Sequence, residues 1–303
     1  MQIYLPIAEM AVNIWLLLGI GGLVGFLSGV FGVGGGFLLT PLLIFSGVPP
    51  AVAVATGMAH ILASSMSGAV TNWRAGAVDP RMGGLMLTGG VTGAVLGIMI
   101  FAALKAAGQI EIVILLSYVV LLSVTGGLMV RESARALAMS NAGTAMAQRT
   151  PHLWLHGLPL KMRFRVSRLY ISAVPPVTLG FIVGFLAAIM GVGGGFIMVP
   201  AMIYLLRMPT KVVIGTSQMQ TVVIAAVTTL LHAVTSQTVD IMLAALLIGG
   251  GVVGAQIGVV AGRALRGEQL RLLLGALVSG VGIKLLLDLV LTPAELYSFA
   301  PAP

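Results

Sequence analysis

The sequence predicts an all-α polytopic membrane protein made of two inverted repeats, each a broken, re-entrant helix hairpin followed by three transmembrane helices. Three observations carry that expectation. Hydrophobic residues make up 58% of the 303 positions and charged residues 8%, with a mean hydropathy of +1.11, whereas soluble domains are roughly one-quarter charged. The run VGFLSGVFGVGGGFLLTP, Val24 to Pro41, aligns without a gap on VGFLAAIMGVGGGFIMVP, Val183 to Pro200. The basic residues gather on one side of a bilayer only if the two copies have opposite orientation.

The elements follow in chain order. The opening MQIYLPIAEM has no Lys/Arg n-region, carries Glu9 and reads as mature sequence. The first glycine-rich segment comes next, and three apolar runs at roughly 51 to 72, 82 to 104 and 110 to 130 are each long enough to cross a core of about 30 Å as helix. The basic stretch Arg131 to Tyr170, with Pro151 and Pro159, reads as a linker. Within it His152, Trp154 and His156 fit an amphipathic stretch lying on anionic headgroups. The second copy repeats the pattern, with helices expected at roughly 210 to 235, 241 to 262 and 269 to 291. Pro49 falls on Pro209, Thr56 on Thr216, Asn72 on His232 and Asp79 on Asp240, and GGVTGAVLG (Gly89 to Gly97) on GGVVGAQIG (Gly250 to Gly258). The chain therefore divides into a first membrane repeat, 1–130, a basic cytoplasmic linker, 131–170, and a second membrane repeat, 171–303.

Topology follows from charge. If each glycine-rich segment crossed once, Lys105, Arg207, Lys211, Arg263, Arg266 and Arg271 would lie opposite the basic linker. If each instead enters and returns to the face it left, the copies are inverted. Arg74, Arg81, the basic residues from Arg131 to Arg168, and Arg207, Lys211, Arg263, Arg266 and Arg271 then share one face, leaving Lys105 opposite and Lys284 within a helix. The positive-inside bias makes that face cytoplasmic and puts both termini outside. The net charge of +8 is thereby accounted for without nucleic acid. Inverted repeats with broken helices are a recurring plan of secondary transporters.

The doubled GVGGGF is the candidate site. Unwound backbone in lipid is tolerated only where protein or a cavity surrounds it. Glycine permits positive φ and close approach, so Gly32, Gly34, Gly35, Gly36 and Phe37, with Gly191, Gly193, Gly194, Gly195 and Phe196, are expected to open a second half-helix. The unpartnered first amides and positive dipole end of such a helix suit an anion. The competing reading is close helix packing. It holds for Gly21, Gly25 and Gly29, for Gly89, Gly93 and Gly97, and for Gly250, Gly254 and Gly258, but three consecutive glycines face three directions and one packing face needs one.

Polar groups inside the spans add to the site. Thr56, His60, Ser64, Ser67 and Thr71 form one helical stripe, and Thr216, Ser217, Gln218, Gln220 and Thr221 cluster at the matching place. Thr56, His60, Thr216, Ser217, Gln218 and Gln220 are the candidate substrate contacts. Interhelical hydrogen bonding is the alternative for each alone, worth about 0.6 kcal/mol. His60 suits either a coupling proton or a neutral donor. Asp79 and Asp240 are expected to cap helices, and Lys284 and Asp288, four apart, to neutralise each other.

Several functions are excluded or unsupported. There is no cysteine, hence no disulfide or thiolate chemistry. No GxxxxGK phosphate loop occurs, and four scattered His and eight acids supply neither a metal cluster nor an acid–base pair, so neither an enzyme, a cofactor nor a metal is expected. The expected partners are a small anionic substrate, a coupling proton or cation, and the lipid bilayer.

The twin GFLSGVFGVGGGFLLTP and GFLAAIMGVGGGFIMVP, with PPAVAVAT, MPTKVVIGT and GGVTGAVLG, resemble the TauE/SafE sulfite exporter family, also called the 4-toluene sulfonate uptake permease family. The resemblance runs from about Leu16 to Leu291. It implies a multi-pass carrier of a prokaryotic inner membrane for sulfur-containing anions such as sulfite, sulfoacetate or other organosulfonates, usually in export by alternating access. A passive anion channel, or an uptake carrier for another small anion, is the alternative.

Overall fold

A computed structural model describes residues 2–31, 35–141, 160–164, 166–167, 169–206, 208–262 and 267–290. Strands β1 (Gln2–Leu5) and β2 (Met10–Asn13) form an antiparallel hairpin that leads into α1 (Ile14–Phe31) and α2 (Gly36–Phe45). The long helices α3 (Pro50–Arg74), α4 (Pro80–Ala106) and α5 (Ile110–Asn141) complete the first copy. A second hairpin, β3 (Lys161–Phe164) and β4 (Leu169–Ser172), precedes α6 (Val174–Met190) and α7 (Gly195–Tyr204). Then come α8 (Thr210–Leu231), extended by a π-turn over His232–Ser236, α9 (Ile241–Gly262) and α10 (Gly267–Val290). Both α3 and α8 follow a proline, Pro49 and Pro209, whose fixed φ suits a helix entry. Among the described residues five helical stretches are long and apolar enough to cross a membrane: Pro50–Arg74, Pro80–Ala106, Ile110–Gly127, Val212–Ser236 and Ile241–Gly258. The all-α membrane fold expected from composition is the one found, with α5 running eleven residues past its expected end.

The two hairpins were not expected. Their strands pair Gln2 with Asn13 and Lys161 with Ser172, the same offset that relates the glycine motifs. The doubling therefore extends upstream of the helices. Each hairpin docks through matching apolar residues: Leu5 and Val12 in the first are buried, as are Phe164 and Ile171 in the second.

Helix directions follow from which residues face each other. On α1 and α9, Leu18 meets Gly250, Gly22 meets Gly254 and Phe26 meets Gly258, so the two run parallel. On α4 and α6, Val177 meets Gly89, Phe181 meets Gly93 and Phe185 meets Gly97, again parallel. A methyl group at Gly25, Gly89, Gly93, Gly250, Gly254 or Gly258 would collide with the facing backbone, which is the packing role read for these glycines. Equivalent helices of the two copies run the opposite way. Gly126 and Gly282 face Ser279 and Leu122 across α5 and α10. Asn72 and Gly68 lie against Gln218, and Gly215 against Ala77, across α3 and α8.

These directions fix the broken segments. Thr56 and His60 on α3 bond Asp240 and Leu247 in rising order, so α3 is parallel to α9 and hence to α1. The connecting α2 must carry the chain back, and it does: Gly36 lies on Ile61 while Leu39 lies on Gly57. By the same logic Asp79, Met86 and Gly90 meet Thr216, Gln220 and Ile224 in order. Thus α4, α6 and α8 are parallel, and α7 returns.

Candidate functional site

The two glycine breaks meet at the centre of the molecule. Phe37 and Phe196, equivalent residues at the starts of α2 and α7, stack with ring centroids 4.3 Å apart and planes 17° from parallel. Both are buried, at 2% and 3% exposure. Around them Gly36 faces Ile61 and the carbonyl of Val192, Gly193 faces Ile61, and Gly191 faces the backbone of Val54. The tip of the second copy therefore rests on α3 of the first. Gly35, Gly36, Phe37, Gly191, Gly193, Gly194, Gly195 and Phe196 are thus brought together; Gly32 and Gly34 lie outside the described residues.

Glycine is required at the second break for a backbone reason. Gly191, Gly193 and Gly194 have φ of 69°, 72° and 73°, the left-handed region that side chains rarely adopt. The first helical bonds beyond the break run from Ile197 and Met198 to the carbonyl of Gly194. In the first copy they run from Leu38 and Leu39 to the carbonyl of Gly35. Gly36, Phe37 and Phe196 stand ahead of those bonds, so their amides have no carbonyl one turn back within the half-helix. The positive ends of two short helices consequently converge on one buried point.

One group at the tips escaped sequence reasoning. Tyr118, fully buried on α5, donates its hydroxyl to the carbonyl of Met190 at 2.6 Å, satisfying the last residue of α6 where the helix stops. Nothing in its stretch of sequence sets it apart, since Ser117, Ser123 and Thr125 offer hydroxyls in the same apolar run.

The polar stripes split into three roles. Thr56 and Thr216 are fully buried, and each hydroxyl oxygen accepts a main-chain N–H from the other copy, Thr56 from Asp240 and Thr216 from Asp79, both at 3.0 Å. His60 and Gln220 occupy matched positions and act alike. His60 donates Nδ1–H to the Leu247 carbonyl at 3.0 Å, which fixes the tautomer, and Gln220 donates Nε2–H to the Met86 carbonyl at 3.3 Å. His60 Nε2 and Gln220 Oε1 are left as buried acceptors without a partner. Gln218 accepts from Asn72 Nδ2 at 2.8 Å, while Ser217 returns its hydroxyl to the Ile214 carbonyl of its own helix. These side chains line the seam between α3, α8 and their neighbours.

Both aspartates cap helices, as expected, and do more. Asp79 Oδ1 accepts from the amides of Arg81 and Met82, and Oδ2 from the amide and hydroxyl of Ser167 at 3.0 and 2.6 Å. Asp240 Oδ1 accepts from Met242 and Leu243, and Oδ2 from the amide of Ile7, all at 3.0 Å. Lys284 was expected to pair with Asp288; its ammonium lies 3.9 Å from the centroid of the Phe45 ring, a cation–π contact to α2. Lys105 donates to the Ser236 carbonyl at 2.6 Å, at the end of the π-turn.

With this geometry in place, comparison with known proteins decides the family. Residues 17–285 match the family described as sulfite exporter TauE/SafE. The chain belongs to the TauE/SafE family. It is 32% identical over 245 residues to a "Probable membrane transporter protein" of Xylella fastidiosa (strain 9a5c), covering 80% of this chain and 82% of that one. It is 29% identical over 255 residues to "Probable membrane transporter protein YjnA" of Bacillus subtilis (strain 168), covering 82% and 89%. A shorter match, 46% over 48 residues, covers 16% of this chain and 11% of "Sulfite exporter TauE/SafE family protein 5" of Arabidopsis thaliana. No solved structure matches the chain. As a TauE/SafE protein it is a membrane transporter, and the paired glycine breaks lie inside the matched region.

Proposed function

We propose that this TauE/SafE protein is a secondary carrier that moves a small sulfur-containing anion, sulfite or an organosulfonate such as sulfoacetate, by alternating access. The observation that carries the reading is the meeting of the two half-helix starts at the buried Phe37–Phe196 stack. Convergent amide ends suit a tetrahedral or pyramidal oxyanion, because they offer donors and partial positive charge without a fixed cation that would hold it too long. Thr56, His60, Ser217, Gln218 and their neighbours then form the seam along which the copies move.

The copies are inverted across the bilayer in this account. Support comes from the antiparallel α3–α8 and α5–α10 pairs and from charge. Arg74, Arg81, Arg131 and Arg163 fall at the end of the molecule that holds the second hairpin, and Lys105 falls at the other. The positive-inside rule makes the former face cytoplasmic in a prokaryotic inner membrane, and export, the direction the family resemblance implies, would run outward from it.

Thermal unfolding of the purified protein with sulfite, sulfate, thiosulfate, sulfoacetate and taurine tests the substrate class. A ligand at 100 times its Kd adds about 2.7 kcal/mol to the folded state, which raises Tm by roughly 5 °C. Absence of any shift across the panel would count against the reading. Counterflow in preloaded vesicles separates a carrier from a passive pore, because only a carrier shows exchange acceleration.

A further inference from the structure

We propose that Asp79 and Asp240 are the latches of two gates, one at each face, and that transport releases one while the other holds. The inference rests on the alternating-access reading above. Neither carboxylate touches the anion; both are positioning residues.

Each latch ties three parts of the chain together. Asp79 begins α4 of the first copy, grips the turn of the second hairpin through Ser167, and gives its own N–H to Thr216 of the second copy. Asp240 begins α9 of the second copy, grips the turn of the first hairpin through Ile7, and gives its N–H to Thr56 of the first copy. The two sets lie at opposite ends of the molecule, since α4 and α9 run in opposite directions. Both carboxylates are 1% exposed. Rocking one copy against the other about a pivot at one face strains the set at the opposite face, because each set contains a bond between copies.

Burial makes the latches two-state. A carboxylate that loses a buried donor must find water or another donor, so the hairpin leaves when its face hydrates and returns when it dries. In this structure both latches are made and the tips between them are buried, which is the arrangement closed to both faces.

The latches are unequal. Ser167 supplies Asp79 with a hydroxyl donor besides the amide, whereas Ile7 supplies an amide alone. The gate at the first-hairpin face, opposite the basic face, is therefore the weaker and opens more often in the unliganded protein.

The absence of cysteine allows a direct test. Leu39 and Met198 sit at equivalent places on α2 and α7, between the tips and the two faces, and both are fully buried. Leu39→Cys and Met198→Cys are each labelled with a membrane-impermeant maleimide, applied separately to the two faces of oriented vesicles without substrate. In the parent background Leu39→Cys should react faster from the first-hairpin face than Met198→Cys does from the basic face. Thr56→Val should speed Leu39→Cys labelling about fivefold and leave Met198→Cys unchanged, and Thr216→Val should do the reverse, as expected for loss of one hydrogen bond of about 1 kcal/mol. Ser167→Ala, a milder change at a hairpin turn, should act as Thr216→Val does and serves if either valine variant fails to insert. Equal acceleration at both faces, or no change with any of the three variants, would overturn the latch assignment. Labelling reads gate opening alone, so that result with counterflow intact would leave the carrier reading standing.

Discussion

Three buried side chains hold the copies and their helix ends in place. The Tyr118 hydroxyl caps α6 at Met190 in a buried place. Tyr118→Phe would leave that carbonyl orphaned and should lower stability by about 1–3 kcal/mol, read by thermal unfolding in detergent. Asp79 closes a helix and holds a hairpin at once. Asp79→Ala removes the cap and the charged acceptor together, and a loss of about 2–4 kcal/mol is expected from the same measurement. His60 offers a finer comparison because Gln220 makes the same kind of bond at the matched position. His60→Gln should therefore keep stability within about 1 kcal/mol and keep transport. Abolished transport with stability retained would instead make the imidazole a proton carrier.

At the scale of elements, the close glycine-lined pairs α1–α9 and α4–α6 hold the two copies together. Gly254 faces the backbone of Gly22 and Phe26, whereas Gly280 on α10 has nothing near it. Gly254→Leu should prevent stable assembly, since a side chain there must push two backbones apart, while Gly280→Ala should shift stability by no more than about 1 kcal/mol. Yield of monodisperse protein and its Tm distinguish the two. This layer was largely legible in the sequence: the span expected at roughly 241 to 262 coincides with α9, which begins at Ile241 and is described as far as Gly262, and GGVTGAVLG and GGVVGAQIG lie where small-residue packing put them. Helix length and glycine spacing are local properties, so one chain reveals them. The hairpins were not legible. Their strands are four residues long, and the first turns through Glu9 at φ 53° with none of the Asn-Gly chemistry that marks a hairpin. The bonds of Thr56 to Asp240 and Thr216 to Asp79 span more than 130 positions. Matching positions in the two copies showed that these residues correspond, but not that they touch across copies.

For the whole molecule, duplication explains the arrangement of the site better than any single residue does. Two copies exchange their broken segments, so that α1 lies on α9 and α6 on α4, and the two tips are carried to a common centre. The pairing is not perfect. Gly194 has φ 73° where its counterpart Gly35 has φ −61°, and Tyr118 caps one tip only. The most direct test of the converging amide ends is Gly193→Leu, placed where φ is positive and Ile61 already lies close. Anion binding is measured on the inserted, folded variant by ligand-dependent thermal stabilisation. Loss of the anion-induced shift, with expression and membrane insertion retained, is the expected result. An unchanged shift would contradict the account and reduce the glycine breaks to packing.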